Sequence, residues 1–414
     1  MTRRYTRRQF LGASAAAGLG GAGGCASPLD SAGRSTAGEE TREPTERETD
    51  SAGSETTPEE MARRDPVDVR GALYVPARAW NTYQMWADYD ESVIERDLGY
   101  AERLNLNAVR TWVSYERWRE DPDALEREID HFLTAAEDRG MRAILGLFES
   151  VGQEPTEENL TNTDPWTAPP VQSPSSRVMQ NEYRWDDPRE YVRWFMQRHR
   201  DDDRLLAVEV MNEPGWLPDM KRFAGGMFET LGEERGSVPL TVGSTSMANN
   251  AEYVDWGCDI LQFHYNFPDD TGVYRDLLSE ADQLSTDLDM PAWLTEWQRV
   301  ADFGWGGRDT VDQWQPDYAS LAPVIHEYGM GNFFWSLMVK PAYVRYMRKR
   351  GVVNGIFHED GAVWNREDAR AVKAMSGDAE FEADERREWP EWAAEIERRA
   401  FDTEDDGGED EGGG

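Results

Sequence analysis

Apolar residues along this chain come in short dense runs separated by stripes of helical period. The runs occupy 71–75, 107–112, 143–147, 207–211, 239–243, 260–264, 292–295 and 332–335. Each is short enough for a buried strand. Between them the spacing changes: Ile94, Leu98 and Ala101 fall at i, i+4, i+7, and Leu125, Ile129, Phe132, Leu133 and Ala136 form a wider stripe of the same period. Eight strand-then-helix repeats predict an α/β fold, the (β/α)8 TIM barrel, over residues 67–376. The Trp-, Pro- and Asn-rich stretch 148–185 then follows the third strand as an elaborated loop. Loops of that face build the sites of such barrels, so it is expected to wall the substrate or cover it.

Two of the runs end on a glutamate: Val210-Met211-Asn212-Glu213-Pro214 and Trp293-Leu294-Thr295-Glu296-Trp297. An ionised group leaves water only when it is paired or put to use. Period-two alternation places Ala207, Glu209, Met211 and Glu213 on one face, with Asn212 on the other; Ala292, Leu294 and Glu296 share a face of their own strand. Pro214 ends its ladder. Glu213 and Glu296 thus sit where barrel enzymes hold catalytic groups, and two carboxylates are what glycoside hydrolysis requires. Arg110 ends the second strand. Close to Glu296, it would lower that pKa and keep the nucleophile ionised, while Glu213, facing another carboxylate, would be raised and hold a proton. Glu209, deeper in the barrel, is read as the structural partner of Arg110.

These residues, with His264 ending the sixth strand and Trp335 the eighth, resemble clan A glycoside hydrolases, and among them family 5, the cellulase and mannanase family. The resemblance spans roughly Val67 to Met375. It implies a retaining mechanism on β-linked glycans, without metal or organic cofactor. It makes Glu213 the acid/base, Glu296 the nucleophile and Arg110 the nucleophile's partner. Asn212 would hold a 2-hydroxyl, His264 line the reacting subsite, and Trp335 form the sugar platform. The family usually has a tyrosine two residues after the strand-six histidine. Asn266 stands there in this chain, so either Tyr265 takes that contact through a local bulge or the contact is lost. Trp80, Trp112, Trp166, Trp297 and Trp305 are read as packing residues first and cleft residues second.

Charge narrows the substrate. The chain has 414 residues, 81 of them acidic against 44 basic, a net charge of −37. Such a surface repels nucleic acid, anionic lipid and acidic polysaccharide, and the resemblance implies a β-linked glycan, so the expected substrate is a neutral one, β-1,4-glucan or β-mannan. Lysine is confined to Lys221, Lys340, Lys349 and Lys373. Acidic excess with few lysines fits a protein adapted to high salt, where screening offsets self-repulsion. The five histidines are scattered and form no metal motif. Cys258, in an apolar context, is read as an inert buried thiol.

The ends are read as targeting and tether. Thr6-Arg7-Arg8-Gln9-Phe10-Leu11 resembles a twin-arginine export motif, and Ala22-Gly23-Gly24-Cys25 a lipobox with Cys25 as the lipidated residue. Residues 1–25 then form the signal segment, 26–66 a disordered linker and 377–414 an acidic tail. Within that tail Trp389, Trp392, Ile396 and Ala400 could form one docked helix. The expected protein is an exported, lipid-anchored, monomeric hydrolase. Its alternatives are an exo-acting β-glycosidase, a transglycosylase and a non-catalytic carbohydrate-binding lipoprotein.

Overall fold

The computed structural model describes residues 56–215, 217–266, 271–299, 317–349 and 351–401. The export motif, Cys25 and Trp305 lie outside them. Eight parallel strands carry the fold: β1 (Arg70–Leu73), β2 (Ala108–Trp112), β3 (Arg142–Glu149), β4 (Leu205–Asn212), β5 (Leu240–Gly243), β6 (Leu261–His264), β7 (Ala292–Gln298) and β8 (Gly331–Trp335). Their order is β5-β4-β3-β2-β1-β8-β7-β6. A parallel bridge between Thr241 and Ile260 brings β5 and β6 together. The hydroxyl of Thr241 donates to the Ile260 carbonyl at 2.9 Å across the same seam. The sheet is therefore a nearly closed (β/α)8 barrel, with strands at the positions the apolar runs predict.

The helical stripes bury as expected. Asp90 caps the helix Glu91–Arg103 by accepting from the amides of Ser92 and Val93, and its Ile94, Leu98 and Ala101 face the core. The helix Pro122–Glu137 starts at Asp121 with proline in its first turn and buries Leu125, Ile129, Phe132, Leu133 and Ala136.

Both chain ends hold more structure than their composition suggests. The linker expected to reach residue 66 gives way to a helix, Pro58–Met61, opened by a capping box between Thr57 and Glu60. Met61 is fully buried, and the helix packs on Arg366–Ala374. A single apolar anchor outweighs its polar neighbours here. At the other end Trp389, Ala393 and Ile396 cluster with Val339 and Val353, and the helix Ala394–Phe401 follows. Trp389 and Ile396 thus pack on the domain as expected, but Trp389 precedes the helix instead of lying within it. Among the described residues no helix is long and apolar enough to cross a membrane.

Two excursions shape the mouth. The segment after β3 pairs back on itself through the bridges Glu149–Ser173 and Gln153–Val171. The segment after β8 forms a small antiparallel pair, β9 (Lys340–Pro341) and β10 (Val353–Asn354), around the short helix Arg345–Lys349. Arg348 is fully buried, and its Nη1 donates to the carbonyls of Pro165 at 2.7 Å and Ala168 at 2.9 Å. Its guanidinium also stacks on Trp80, 3.9 Å from the ring centroid. One side chain thus locks the β8 excursion to the β3 excursion.

Candidate active site

The barrel mouth departs from regular pairing on three strands. Register shifts fall between Glu209 and Asn212 on β4, between Phe263 and His264 on β6, and between Leu294 and Trp297 on β7. Such irregularities re-aim side chains. They explain why the alternation that separates Asn212 from Glu213 fails: both side chains take part in one polar network. Glu213 itself has a φ of +45°, left-handed backbone that is costly for a residue with a Cβ. Its amide donates to the Gly243 carbonyl at 2.7 Å, and its carbonyl accepts from the Ser150 hydroxyl. Those bonds hold the unfavourable conformation in place.

Arg110 crosses the barrel interior, fully buried. Its Nε and Nη2 donate to both oxygens of Glu209 at 2.9 and 2.8 Å, and Nη2 also reaches Asn212 Oδ1 at 2.7 Å. The expected Arg110–Glu209 network is thus present. Close approach makes glycine necessary at 243: a Cβ there would lie 2.6 Å from Glu209 Oε1 and 2.9 Å from Arg110 Nη2.

Above this layer His264 Nδ1 faces Glu213 Oε1 at 2.7 Å and Glu296 Oε2 at 3.3 Å. Burial pushes the imidazole down to about 4, so it is neutral at pH 7. Its one proton then belongs on Nδ1, between two carboxylates, with the buried Nε2 left unpartnered. Glu296 Oε1 accepts from Asn266 Nδ2 at 3.0 Å. Ligand atoms of Glu213, His264 and Glu296 all lie within 4.8 Å of one another, close enough for a metal ion. The Arg110 guanidinium 3.8 Å from Glu296 works against a dication there.

One expectation needs correction. Arg110 does not lower Glu296 below the ordinary carboxylate range. Burial raises Glu296; His264, Arg110 and Asn266 only oppose it, because the guanidinium is committed to Glu209. Glu213 is raised as expected, to about 7, with burial the chief cause and Arg110 pulling the other way. Asn266, where the resemblance places a tyrosine, itself contacts Glu296; the Tyr265 amide donates to the Glu296 carbonyl at 2.9 Å, and its ring stacks on Tyr274 with centroids 5.3 Å apart. Tyr265 still lines the cavity.

The cavity holds about 470 Å³, with Glu213, Glu296, His264, Trp335, Trp112 and Tyr343 among its walls. Trp335 is almost fully buried, its ring 5.6 Å from Tyr343 and 6.3 Å from Trp112. Trp297 is a core residue, as read first; Trp80 is buried but walls a second cavity, and Trp112 faces the site. Trp166 packs against the C-terminal cluster. Burial pushes the Cys258 thiol up to about 12, which makes it inert. A second cavity of about 470 Å³, walled by Arg78, Trp80 and Trp392, has acids that are exposed or, as with Glu359 and Arg78, ion-paired. It lacks the carboxylates that converge on one histidine in the first.

Glu149 is a site residue the sequence reading missed. It ends β3, is 4% exposed, and accepts from Asn212 Nδ2 at 3.0 and 3.1 Å and from the Val151 amide at 2.7 Å. Burial raises it to about 8. The signal was present: Ala-Ile-Leu-Gly-Leu-Phe-Glu is a third apolar run ending on glutamate.

No family model and no curated protein matches the chain. Solved structures do resemble it. An exo-β-1,4-mannosidase, Op5Man5, from Opitutaceae bacterium strain TAV5 aligns at a TM-score of 0.55 and 16% identity, over 76% of this chain and 62% of that one. A GH5_18 variant from Bifidobacterium longum subsp. longum, in complex with Manβ1-4GlcNAc, gives 0.54 and 13%, over 74% and 78%. GH5_18 from Streptomyces cattleya, in complex with GlcNAc, gives 0.52 and 13%, over 78% and 83%. At these identities the likeness is one of fold.

Proposed function

We propose that the chain is a retaining β-glycosidase, with Glu213 as acid/base and Glu296 as nucleophile. One observation carries this reading: two half-buried strand-end glutamates share the Nδ1 of His264, their facing atoms within 4.8 Å, in the wall of one cavity. Retaining pairs stand roughly 5–5.5 Å apart, whereas inverting pairs leave room for water at roughly 6.5–9.5 Å. In the first step a Glu296 oxygen bonds to the anomeric carbon as the glycosidic C–O bond breaks, and the leaving oxygen takes the proton of Glu213. In the second, Glu213 removes a proton from water, which attacks the same carbon and expels Glu296. His264 keeps the two carboxylates from facing each other unscreened. Trp335 supplies an aromatic surface for a pyranose face.

Charge supports a neutral substrate, and the proposed one is a β-linked glucan or mannan, assayed in molar salt. Exo action on chain ends or short oligosaccharides is the second reading. It is supported by the β8 excursion, whose Tyr343, Val344 and Met347 wall the cavity and which Arg348 ties to the β3 excursion. The solved mannosidase and the Manβ1-4GlcNAc complex make β-mannosides the first probes. Export by the twin-arginine route with a lipid on Cys25 remains part of the proposal.

Proton NMR of the first product decides the stereochemistry. The β-anomer should appear first and mutarotate later, and a 2-deoxy-2-fluoro β-glycoside should leave its sugar on Glu296. Initial release of the α-anomer would overturn retention.

The pH profile offers a separate check. Glu213 must be protonated, so kcat/KM should fall as pH rises through about 7. Glu296 must be ionised, and burial places its limb above the ordinary 4.5. In Glu213→Gln the alkaline limb should disappear for aryl glycosides whose leaving group needs no proton. An unchanged limb would assign it to another group.

A further inference from the structure

Double displacement uses two carboxylates, yet a third, Glu149, is buried in the same cavity wall. Burying it is unfavourable unless something compensates. Its protein partners are few. Oε1 accepts from both Asn212 Nδ2 and the Val151 amide, while Oε2 has only Asn212, at 3.1 Å. Oε2 is therefore the less satisfied oxygen of a group that faces the cavity.

Asn212 is correspondingly less free than its place beside Glu213 suggests. Its Oδ1 accepts from Arg110 at 2.7 Å, and its Nδ2 is aimed at Glu149. Turning the amide over would set its NH2 against the guanidinium and its oxygen against the carboxylate, so the orientation is fixed by its neighbours. The fixed chain Glu209–Arg110–Asn212–Glu149 ends on Glu149 at the cavity.

We infer that Glu149 is a specificity-determining residue that binds a hydroxyl of the sugar ring through Oε2, taking over the hydroxyl contact otherwise expected of Asn212. This rests on the glycosidase reading above. A carboxylate is a strong acceptor for a sugar hydroxyl, and accepting from one favours the ionised form of a carboxyl that burial raises to about 8 at rest. Bound sugar would supply a second partner to Oε2, which has only Asn212. The ligand class is a neutral pyranoside presenting a hydroxyl beside the cleaved bond.

The test uses the full chain in molar salt, an activated aryl β-glycoside and its monodeoxy analogues, with wild type, Glu149→Gln and Glu149→Ala. Glu149→Gln keeps an acceptor for Asn212 and Val151 but replaces Oε2, the less satisfied oxygen, with a donor. Both variants should lose about 10- to 150-fold in kcat/KM on the parent glycoside, the equivalent of a hydrogen bond to a charged group. One deoxy analogue should lose a similar factor with wild type and almost nothing further with either variant. Additive losses for every analogue would overturn the contact. So would wild-type behaviour of Glu149→Gln, which would reduce Glu149 to a support for Asn212. If Glu149→Ala does not fold, Glu149→Gln decides alone. Wild type that turns over nothing would defeat the glycosidase reading instead. The same panel of methyl glycosides is then read by calorimetry, where the same non-additivity in affinity supports the contact and additivity overturns it.

Discussion

Glu296→Gly should lower turnover of an activated β-glycoside by roughly 10⁴- to 10⁶-fold, the scale seen when a covalent nucleophile is removed. Azide should restore part of it. The substitution leaves a vacancy beneath the anomeric carbon, bounded by His264, Asn266 and Arg110, where a small anion can sit. Azide attacks from the face Glu296 used, so its product is the α-glycosyl azide. Glu213→Ala should behave in the opposite sense. It should slow glycosides with poor leaving groups far more than those with good ones, and azide should then intercept the glycosyl-enzyme to yield the β-glycosyl azide. The two azide products identify the two carboxylates independently of any rate. Absence of rescue in Glu296→Gly, together with full activity in Glu213→Ala, would remove both assignments.

The barrel was legible because its signal is repeated and coarse. Eight apolar runs separated by helical stripes tolerate an error of two residues at each boundary. The site was legible only where a strand's chemistry breaks its own pattern, as at Glu213 and Glu296. Glu149 carries the same break and escaped because its strand runs to 149, two residues past the apolar run assigned to it. Asn266 escaped for another reason: its contact with Glu296 depends on a register shift at the end of β6, and alternation assumes that no such shift exists. The direction of the Glu296 shift was misread because one attraction was weighed without burial and without the competing claim of Glu209 on Arg110. Pairing partners across a barrel are set by tertiary geometry and not by spacing along the chain. The anchoring of the β8 excursion by Arg348 belongs to the same class, since its acceptors Pro165 and Ala168 lie about 180 residues away.

Arg110→Met should destabilise the protein by roughly 3–5 kcal/mol, measured as a lower denaturant midpoint, because it leaves a buried charge without its partner. Glu209 is fully buried and receives its charged bonds from Arg110, at 2.8 and 2.9 Å. Asn212 Oδ1 loses its donor in the same change. The double variant Arg110→Met/Glu209→Met removes both charges and should recover much of that stability, since replacing a whole buried ion pair with apolar groups is often neutral. Activity should not return with it. The Asn212 amide would be free to turn, Glu149 would lose a partner held in one orientation, and Glu296 would lose the guanidinium 3.8 Å away. A stable but inactive double variant would show that the pair is kept for arranging the site rather than for holding the barrel. Recovery of activity along with stability would mean that Arg110 serves the fold alone.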